Sequence, residues 1–428
     1  MSIAYGGIVA FFFRGLNVGV ALITVLLASH VLSTDDYGVL ALALAAIGIV
    51  TAMTSGLTAA TAYQIANQRR GDGEALLSAG SLALALGVVA LLAGVLGMQV
   101  LSGQASTLSL TIGAASAAVL INGVVGGVFL GRDDLFRYNI TLVLPPFFAL
   151  VSMGVVFFIF NHRTPESALV ASVSGQWGAA VVVTTMCVKT GRSGFRYSRS
   201  LAILVLRFTI VAGMASGISY LNYRADLFMV AHFEGESGVG VYAIAGYIAE
   251  SIWQVSSSLA LATYARLGSV SRPEAVALTT RIMRHTVVIL GVICIGMFVI
   301  AGLLQSILFS KYDGMATALR FLLPGVLLYS LAQAYSAFYT YQRGWPWVSA
   351  IVAGGGLIVD ISLDVALIPA MGVNGAALAS SIAYSVAIIG ALIVFVRTEH
   401  VRASDVFRFG KADVDDYRTL VTRLRARF

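Results

Sequence analysis

Eight ionisable side chains lie inside long apolar stretches of this sequence: Arg14, Arg207, Arg224 and Arg320, with Asp226, Glu250, Asp360 and Asp364. A charge in hydrocarbon is costly, so each is a candidate for function. Arg14 sits about nine residues into the first apolar run, roughly 14 Å deep at the helical rise, and Asn17 shares its face. A guanidinium offers a planar fork of donors and keeps its charge. A buried Arg14 facing a wet cavity would therefore suit an anion with several acceptors, such as a pyrophosphate. A structural salt bridge to a neighbouring acid is the alternative. Arg224 and Asp226 stand about 200° apart on a helix, so they face different ways. Arg224 shares its face with Tyr220 and Ser216 and is the better placed to line a cavity; Asp226 goes with Asn222 and Tyr223.

A polar stripe at helical spacing joins Tyr247, Glu250, Gln254, Ser257 and Ser258. Glu250 is a candidate for proton exchange during transport, or for a permanent pair with Arg14 or Arg224. Asp360 and Asp364 are one turn apart on one face and suit a shared cation or proton. The glycines at 354–356 before them should let a neighbouring helix approach closely. Asp226, Glu250, Asp360 and Asp364 form the candidate ion- or proton-coupling set. Tyr329, Gln333, Ser336 and Thr340 form one hydroxyl and amide stripe; Thr51, Thr54, Ser55 and Thr58 form another. Such stripes bind sugar hydroxyls or serve as interhelical hydrogen bonds. Arg14, Asn17, Arg224, Tyr220, Gln254 and Gln333 are the candidate substrate-binding set. Arg207 and Arg320 lie near the ends of their runs and can snorkel to headgroups. Four basic groups face four acidic ones within the apolar runs, so the summed charge does not make a cavity plainly cationic.

The elements that must hold these residues are membrane spans. Of 428 residues, 58% are hydrophobic and only 11% charged, with mean hydropathy +0.89, against about a quarter charged in soluble domains. Runs long enough to cross hydrocarbon fall at 5–31, 37–66, 75–101, 107–130, 138–160, 167–188, 200–230, 237–263, 284–309, 315–341, 347–370 and 375–396. The second is long and contains Gly56, a place for a bend. The first run is too long for a signal peptide and reads as a span. Thirteen basic residues lie in the even-numbered loops and eight in the C-terminal segment, against two, Arg163 and Lys311, in the odd-numbered loops. By the positive-inside rule both termini are expected to be cytoplasmic. The net charge of +7 thus sorts by membrane side and makes no nucleic-acid patch. Beyond the last span, Val414, Tyr417, Leu420, Val421, Leu424 and Phe428 recur at helical spacing among arginines, which predicts a basic amphipathic helix for the inner leaflet or for a partner.

The two halves resemble each other. LSTDDYGVLALALA at 32–45 pairs with EGESGVGVYAIAGY at 234–247, FLGRDDLFRY at 129–138 with TYQRGWPWVS at 340–349, and SALVASV at 167–173 with AALASSI at 376–382. The offsets agree to within about ten residues. This predicts an all-α protein of about twelve spans. Two six-helix bundles, 1–195 and 196–397, would be related by a pseudo-two-fold along the membrane normal, followed by a tail at 398–428. Transporters built from such repeats bind between the halves and rock to alternate access.

The same segments carry a family resemblance. L-S-x-D-D-Y-G after the first span, Arg224-x-Asp226 followed by G-V-x-Y-A-x-A at 238–245, and the run from Asp364 to Tyr384 resemble the polysaccharide-biosynthesis, or O-antigen, flippases of the multidrug/oligosaccharidyl-lipid/polysaccharide exporter superfamily. The resemblance covers about residues 5–397. It implies translocation of a polyprenyl-pyrophosphate-linked glycan from the cytoplasmic to the outer leaflet, for exopolysaccharide, capsule or O-antigen. Membrane lipids, a polysaccharide polymerase and export machinery are the implied partners. Two aspartates in span eleven replace the family's asparagine-rich stretch, and the two further spans usual in wall-precursor flippases have no counterpart. The other reading within the architecture is a proton- or sodium-coupled multidrug exporter, which an anionic cavity would favour. An enzyme is disfavoured: the loops are short, and the five histidines form no metal or catalytic pattern. Cys187 and Cys294 fit no metal or redox motif, and no cofactor is expected.

Overall fold

The computed structural model describes residues 3–102, 107–191, 193–253, 256, 267, 270–345, 347–402, 404, 406, 408, 410 and 413. They are helical nearly throughout. The long helices are α1 (Ile3–Val31), α2 (Thr34–Ala66), α3 (Asp72–Ser102), α4 (Thr107–Gly131), α5 (Leu135–Gly154), α6 (Pro165–Lys189) and α7 (Arg199–Ser251). They continue with α8 (Arg272–Leu308), α9 (Met315–Tyr329), the short α10 (Ala332–Ala337), α11 (Trp347–Met371) and α12 (Val373–Glu399). Single π turns end α5 at Val155–Ile159 and follow α10 at Phe338–Gln342. Eleven helices among the described residues are long and apolar enough to cross a membrane. One of these, α7, is two helices joined at Gly235, whose φ of 72° breaks the helix, a conformation glycine adopts without penalty. Much of the predicted eighth span, including Gln254, Ser257 and Ser258, lies outside the described residues, as does the tail from Val414 through Tyr417, Leu420, Val421 and Leu424 to Phe428.

Local chemistry sets the helix ends. Ser33 accepts the Asp36 N–H at 3.1 Å and opens α2, with Asp35 and Asp36 in its first turn, where carboxylates favour the helix dipole. Thr164 with Ser167, and Ser271 with Glu274, form capping boxes at the starts of α6 and α8. The second helix continues through Gly56 without a break. Gly56 instead lies against Thr209 of α7.

The chain divides into two compact units, Met1–Ala243 and Ile244–Phe428. The boundary expected from the repeat, at 195/196, falls earlier. The difference arises because the first part of α7 packs on α2: Gly213 lies on the Met53 carbonyl and the Ser55 hydroxyl donates to Ser216 at 2.8 Å. Within the first unit α4 is central, packing on α2, α3, α5 and α6, while α1 packs on α5. In the second unit α12 packs on α9 and α11, and α8 packs on α9.

One contact in the first unit is reciprocal. A Cβ on Gly38 would overlap the Glu236 carbonyl oxygen, and a Cβ on Gly240 would overlap the Thr34 carbonyl oxygen. Gly38 and Gly240 are the glycines of the two G-V-x-A-x-A segments, and each meets the residue four positions before the other.

Each unit also carries an ionic cluster at its arginine-rich end. In the first, Arg132 at the end of α4 pairs with Asp72 of α3 at 2.5 Å and donates to the Thr190 hydroxyl at 3.2 Å. In the second, Glu399 at the end of α12 accepts from Arg272 of α8 at 2.7 Å and lies 3.8 Å from Arg343. Arg132 and Arg343 occupy matching places in the sequence repeat, as do α3 and α8.

The start of the tail is pinned to α8. Asp413 is 1% exposed; it accepts the Gly410 N–H at 2.8 Å and pairs with Arg284 at 3.0 Å, with His285 3.9 Å away. Burial alone would raise its pKa, but the Gly410 N–H, Arg284 and His285 outweigh burial and hold the carboxyl below the usual range. The docking contribution of this carboxylate is therefore complete at neutral pH and is lost only as pH falls through that lowered value. Asp413→Asn should release the tail at pH 7 and raise tryptic cleavage after Arg402 and Arg408 about tenfold, the scale of a lost charged hydrogen bond. The wild type should reach that rate only in acid, below the ordinary carboxylate range. Equal cleavage of both chains at pH 7 would show that Asp413 holds nothing.

Candidate substrate cavity

A cavity of about 500 Å³ opens within the first unit between α2, α4, α5 and α6. Its walls are apolar at Val119, Leu130 and Leu142, and polar at seven positions. The α2 wall supplies Thr51, Ser55 and Thr58, three of the four residues of the hydroxyl stripe read from the sequence. Asn122 comes from α4, Tyr138 and Thr141 from α5, and Gln176 from α6. Pro145 also lines the space, and Pro146 follows it. Prolines carry no N–H, so the carbonyls one turn back, on Thr141 and Leu142, lose their helical partners and add acceptor capacity on the cavity side of α5.

The hydroxyls are only partly committed. Thr58 donates to the Gly123 carbonyl at 2.9 Å and Thr141 to the Tyr138 carbonyl at 2.7 Å, which leaves their oxygen lone pairs as acceptors. Asn122 is 8% exposed and its Nδ2 donates weakly to the Gln176 carbonyl at 3.4 Å. Its Oδ1 has no hydrogen-bond partner among the described residues. A buried amide oxygen left so is costly, by about 1–3 kcal/mol, and a ligand donor relieves it. No acidic side chain lines the cavity among the described residues. Arg14 stands on α1, which packs on the α5 wall of the cavity.

The structure places the other sequence candidates as follows. Arg14 is exposed, not enclosed by protein as a buried site would require, and Asn17 is half-buried. The α1 helix packs on α5 instead, where Phe13 meets Phe136 edge-on at 5.5 Å. Tyr220 and Ser216 face α2, where the Tyr220 hydroxyl sits over Gly48. Arg224, on the same face, is half-buried. Asp226 is 3% exposed and accepts the Tyr242 hydroxyl together with the Leu227 N–H at 2.8 Å, which ties the two arms of α7 across the Gly235 break.

In the second unit Glu250 is half-buried near Gly246, and Gln333 is half-buried on α10. Asp360 and Asp364 share the buried face of α11 with Ala353, Gly356 and Ile368. Of the preceding glycines, Gly354 and Gly355 do not serve close helix approach, since a Cβ on either would meet nothing within 4 Å, whereas Gly356 is buried. Close approach occurs instead at Gly375, against the Leu367 carbonyl. Arg320 is also held more firmly than snorkelling implies: its Nε donates to the Phe298 carbonyl at 3.1 Å and its guanidinium lies over the Phe298 ring at 5.5 Å.

The cavity's Asn122, Tyr138, Thr141 and Gln176 escaped the sequence reading, which searched for charges and hydroxyl stripes. A lone amide amid alanines and valines at 117–125, and the Pro145–Pro146 pair within a span, were the available signals, since proline inside a span exposes backbone acceptors that need new partners.

These helices adopt a fold also seen in solved structures of MOP-superfamily transporters. An inward-facing multidrug resistance MATE family transporter of that superfamily superposes with a TM-score of 0.72 at 16% identity, over 92% of this chain and 98% of that one. The lipid II flippase MurJ, in an inward closed conformation, gives 0.75 at 13% identity, over 99% and 93%. A MOP superfamily transporter from Pyrococcus furiosus, whose binding pocket is described as reversed in polarity, gives 0.61 at 17% over 94% and 95%. No family model and no curated protein matches the sequence.

Proposed function

We propose that the chain is a flippase for a polyprenyl-pyrophosphate-linked glycan and that the cavity of the first unit receives its polar head. The carrying observation is the character of that cavity: hydroxyls, amides and freed carbonyls, with no carboxylate among the described lining residues, and Arg14 on the α1 helix that packs on its α5 wall. Sugars need many neutral donors and acceptors, and a pyrophosphate needs a cation. A cavity for drug-like cations would be expected to present acids. In this reading the two six-helix repeats rock about a pseudo-two-fold. The reciprocal Gly38–Gly240 contact and the matching Arg132 and Arg343 clusters support that symmetry. The basic ends face the cytoplasm of a bacterial inner membrane, and the head passes to the outer leaflet for surface polysaccharide synthesis. Arg224, Tyr220, Gln254 and Gln333 remain candidate head contacts. The second reading, a proton- or sodium-coupled exporter, is favoured by one observation: Asp360 and Asp364 lie fully buried on one face of α11. With Glu250 and Asp226 they are the candidate coupling groups in either reading.

The test is leaflet accessibility of a polyprenyl-pyrophosphate sugar in vesicles containing the chain. Asn122→Ala and Arg14→Ala should each slow flipping about tenfold, the scale of one lost hydrogen bond to a charged or buried group, with thermal stability unchanged for Arg14→Ala. Wild-type rates in both variants would reject the head site. Proton-driven efflux of organic cations, abolished by Asp364→Asn, would favour the exporter.

A further inference from the structure

The second unit contains a separate slot of about 580 Å³ between α11 and α12, closed on one side by the segment from α10 to the start of α11. Its floor is made by missing side chains: Gly355 and Gly390 are exposed, and a Cβ on either would meet nothing within 4 Å. Its walls are four aromatic residues, Tyr335, Tyr339, Trp345 and Trp347, with valines along α11 and α12. From Val386 to Thr398 the α12 wall is roughly 18 Å long by helical rise.

One end of the slot is cationic. Trp345 lies under the Arg343 guanidinium at 4.0 Å, and Arg272 donates to the carbonyl of Thr398, which lines the slot, at 3.1 Å. Both arginines share a single carboxylate, Glu399, so this end keeps a net positive charge. An apolar slot with a positive end fits an amphiphile that has a hydrocarbon chain and a phosphate.

We infer that the slot holds the chain of a prenyl phosphate, the carrier part of the substrate, with its phosphate toward Arg343 and Arg272. This inference rests on the lipid-linked reading above and assigns the substrate's tail to the second unit. The four aromatic faces suit the repeated double bonds of an isoprenoid, which a saturated acyl chain lacks.

The experiment uses the purified full-length chain in detergent and a C20 prenyl monophosphate carrying a diazirine. Labelling should map to residues 345–359 and 386–398. Gly355→Leu and Gly390→Leu should each lower it roughly tenfold, with thermal unfolding unchanged, because leucine suits an exposed helical site better than glycine. Unlabelled prenyl phosphate should compete, whereas phosphatidylglycerol and inorganic phosphate should not. Unchanged labelling in both leucine variants, or equal displacement by phosphatidylglycerol, overturns the inference. The head site is read separately by the flipping assay. A chain that flips glycolipid without slot labelling loses this inference alone; one that labels but flips nothing loses only the flippase reading.

Discussion

Replacing Arg132 with alanine should destabilise the chain by about 3–5 kcal/mol, the cost of stranding a buried charge. The Arg132 and Asp72 side chains are 6% and 5% exposed, so solvent screening offers little relief. Arg132 supplies the guanidinium to the Asp72 carboxylate, which also accepts from the Ser193 hydroxyl and the Gly73 N–H. The same arginine also bonds Thr190 and lies over the Phe129 ring at 5.7 Å. Its loss therefore loosens α3, α4, the end of α6 and the segment after it together. Asp72→Leu added to Arg132→Met should recover most of the loss, because a well-packed apolar pair replaces a charge pair at little net cost. A double-mutant cycle read by thermal unfolding in detergent checks this. Additive losses, or a single-mutant loss below about 1 kcal/mol as for a surface pair, would reject the buried cluster as a source of stability.

The second large effect concerns Gly38 and Gly240. Alanine at either places a methyl group where a carbonyl oxygen of the facing helix now stands. Backbone atoms cannot turn aside as a side chain would, so the two helix ends must separate. Each substitution should cost about 1–3 kcal/mol, the range for overpacking. Both clashes are relieved by one and the same separation, so Gly38→Ala with Gly240→Ala should cost less than the sum of the two. The unfolding temperature of the three variants decides it; strict additivity would mean the contacts are independent and the reciprocal arrangement has no energetic meaning. If the proposed rocking opens this contact, the variants should also favour the open form, seen as faster alkylation of a cysteine placed at Thr34.

The membrane character and most of the helices were legible in the sequence because they depend on local quantities. A span needs a given length of apolar chain whatever surrounds it, and caps such as Ser33 and the Thr164–Ser167 box act within one turn. The likeness between LSTDDYGV and EGESGVGV was visible too, and so was the hydroxyl stripe of α2. The partners of these features were not. Helices that are apolar on every side, as α2 and α4 are, carry no stripe that points to a core, so the sequence does not say which face meets which neighbour. Only the folded chain puts Asn122 of α4 and Gln176 of α6 around the same space as Thr58 of α2, packs α1 with its Arg14 on the α5 wall of that space, and makes Gly355, expected to let a helix approach, part of an open slot with Gly390. Those outcomes depend on residues tens to hundreds of positions apart, and it is packing between helices, not the preference of any one helix, that decides them.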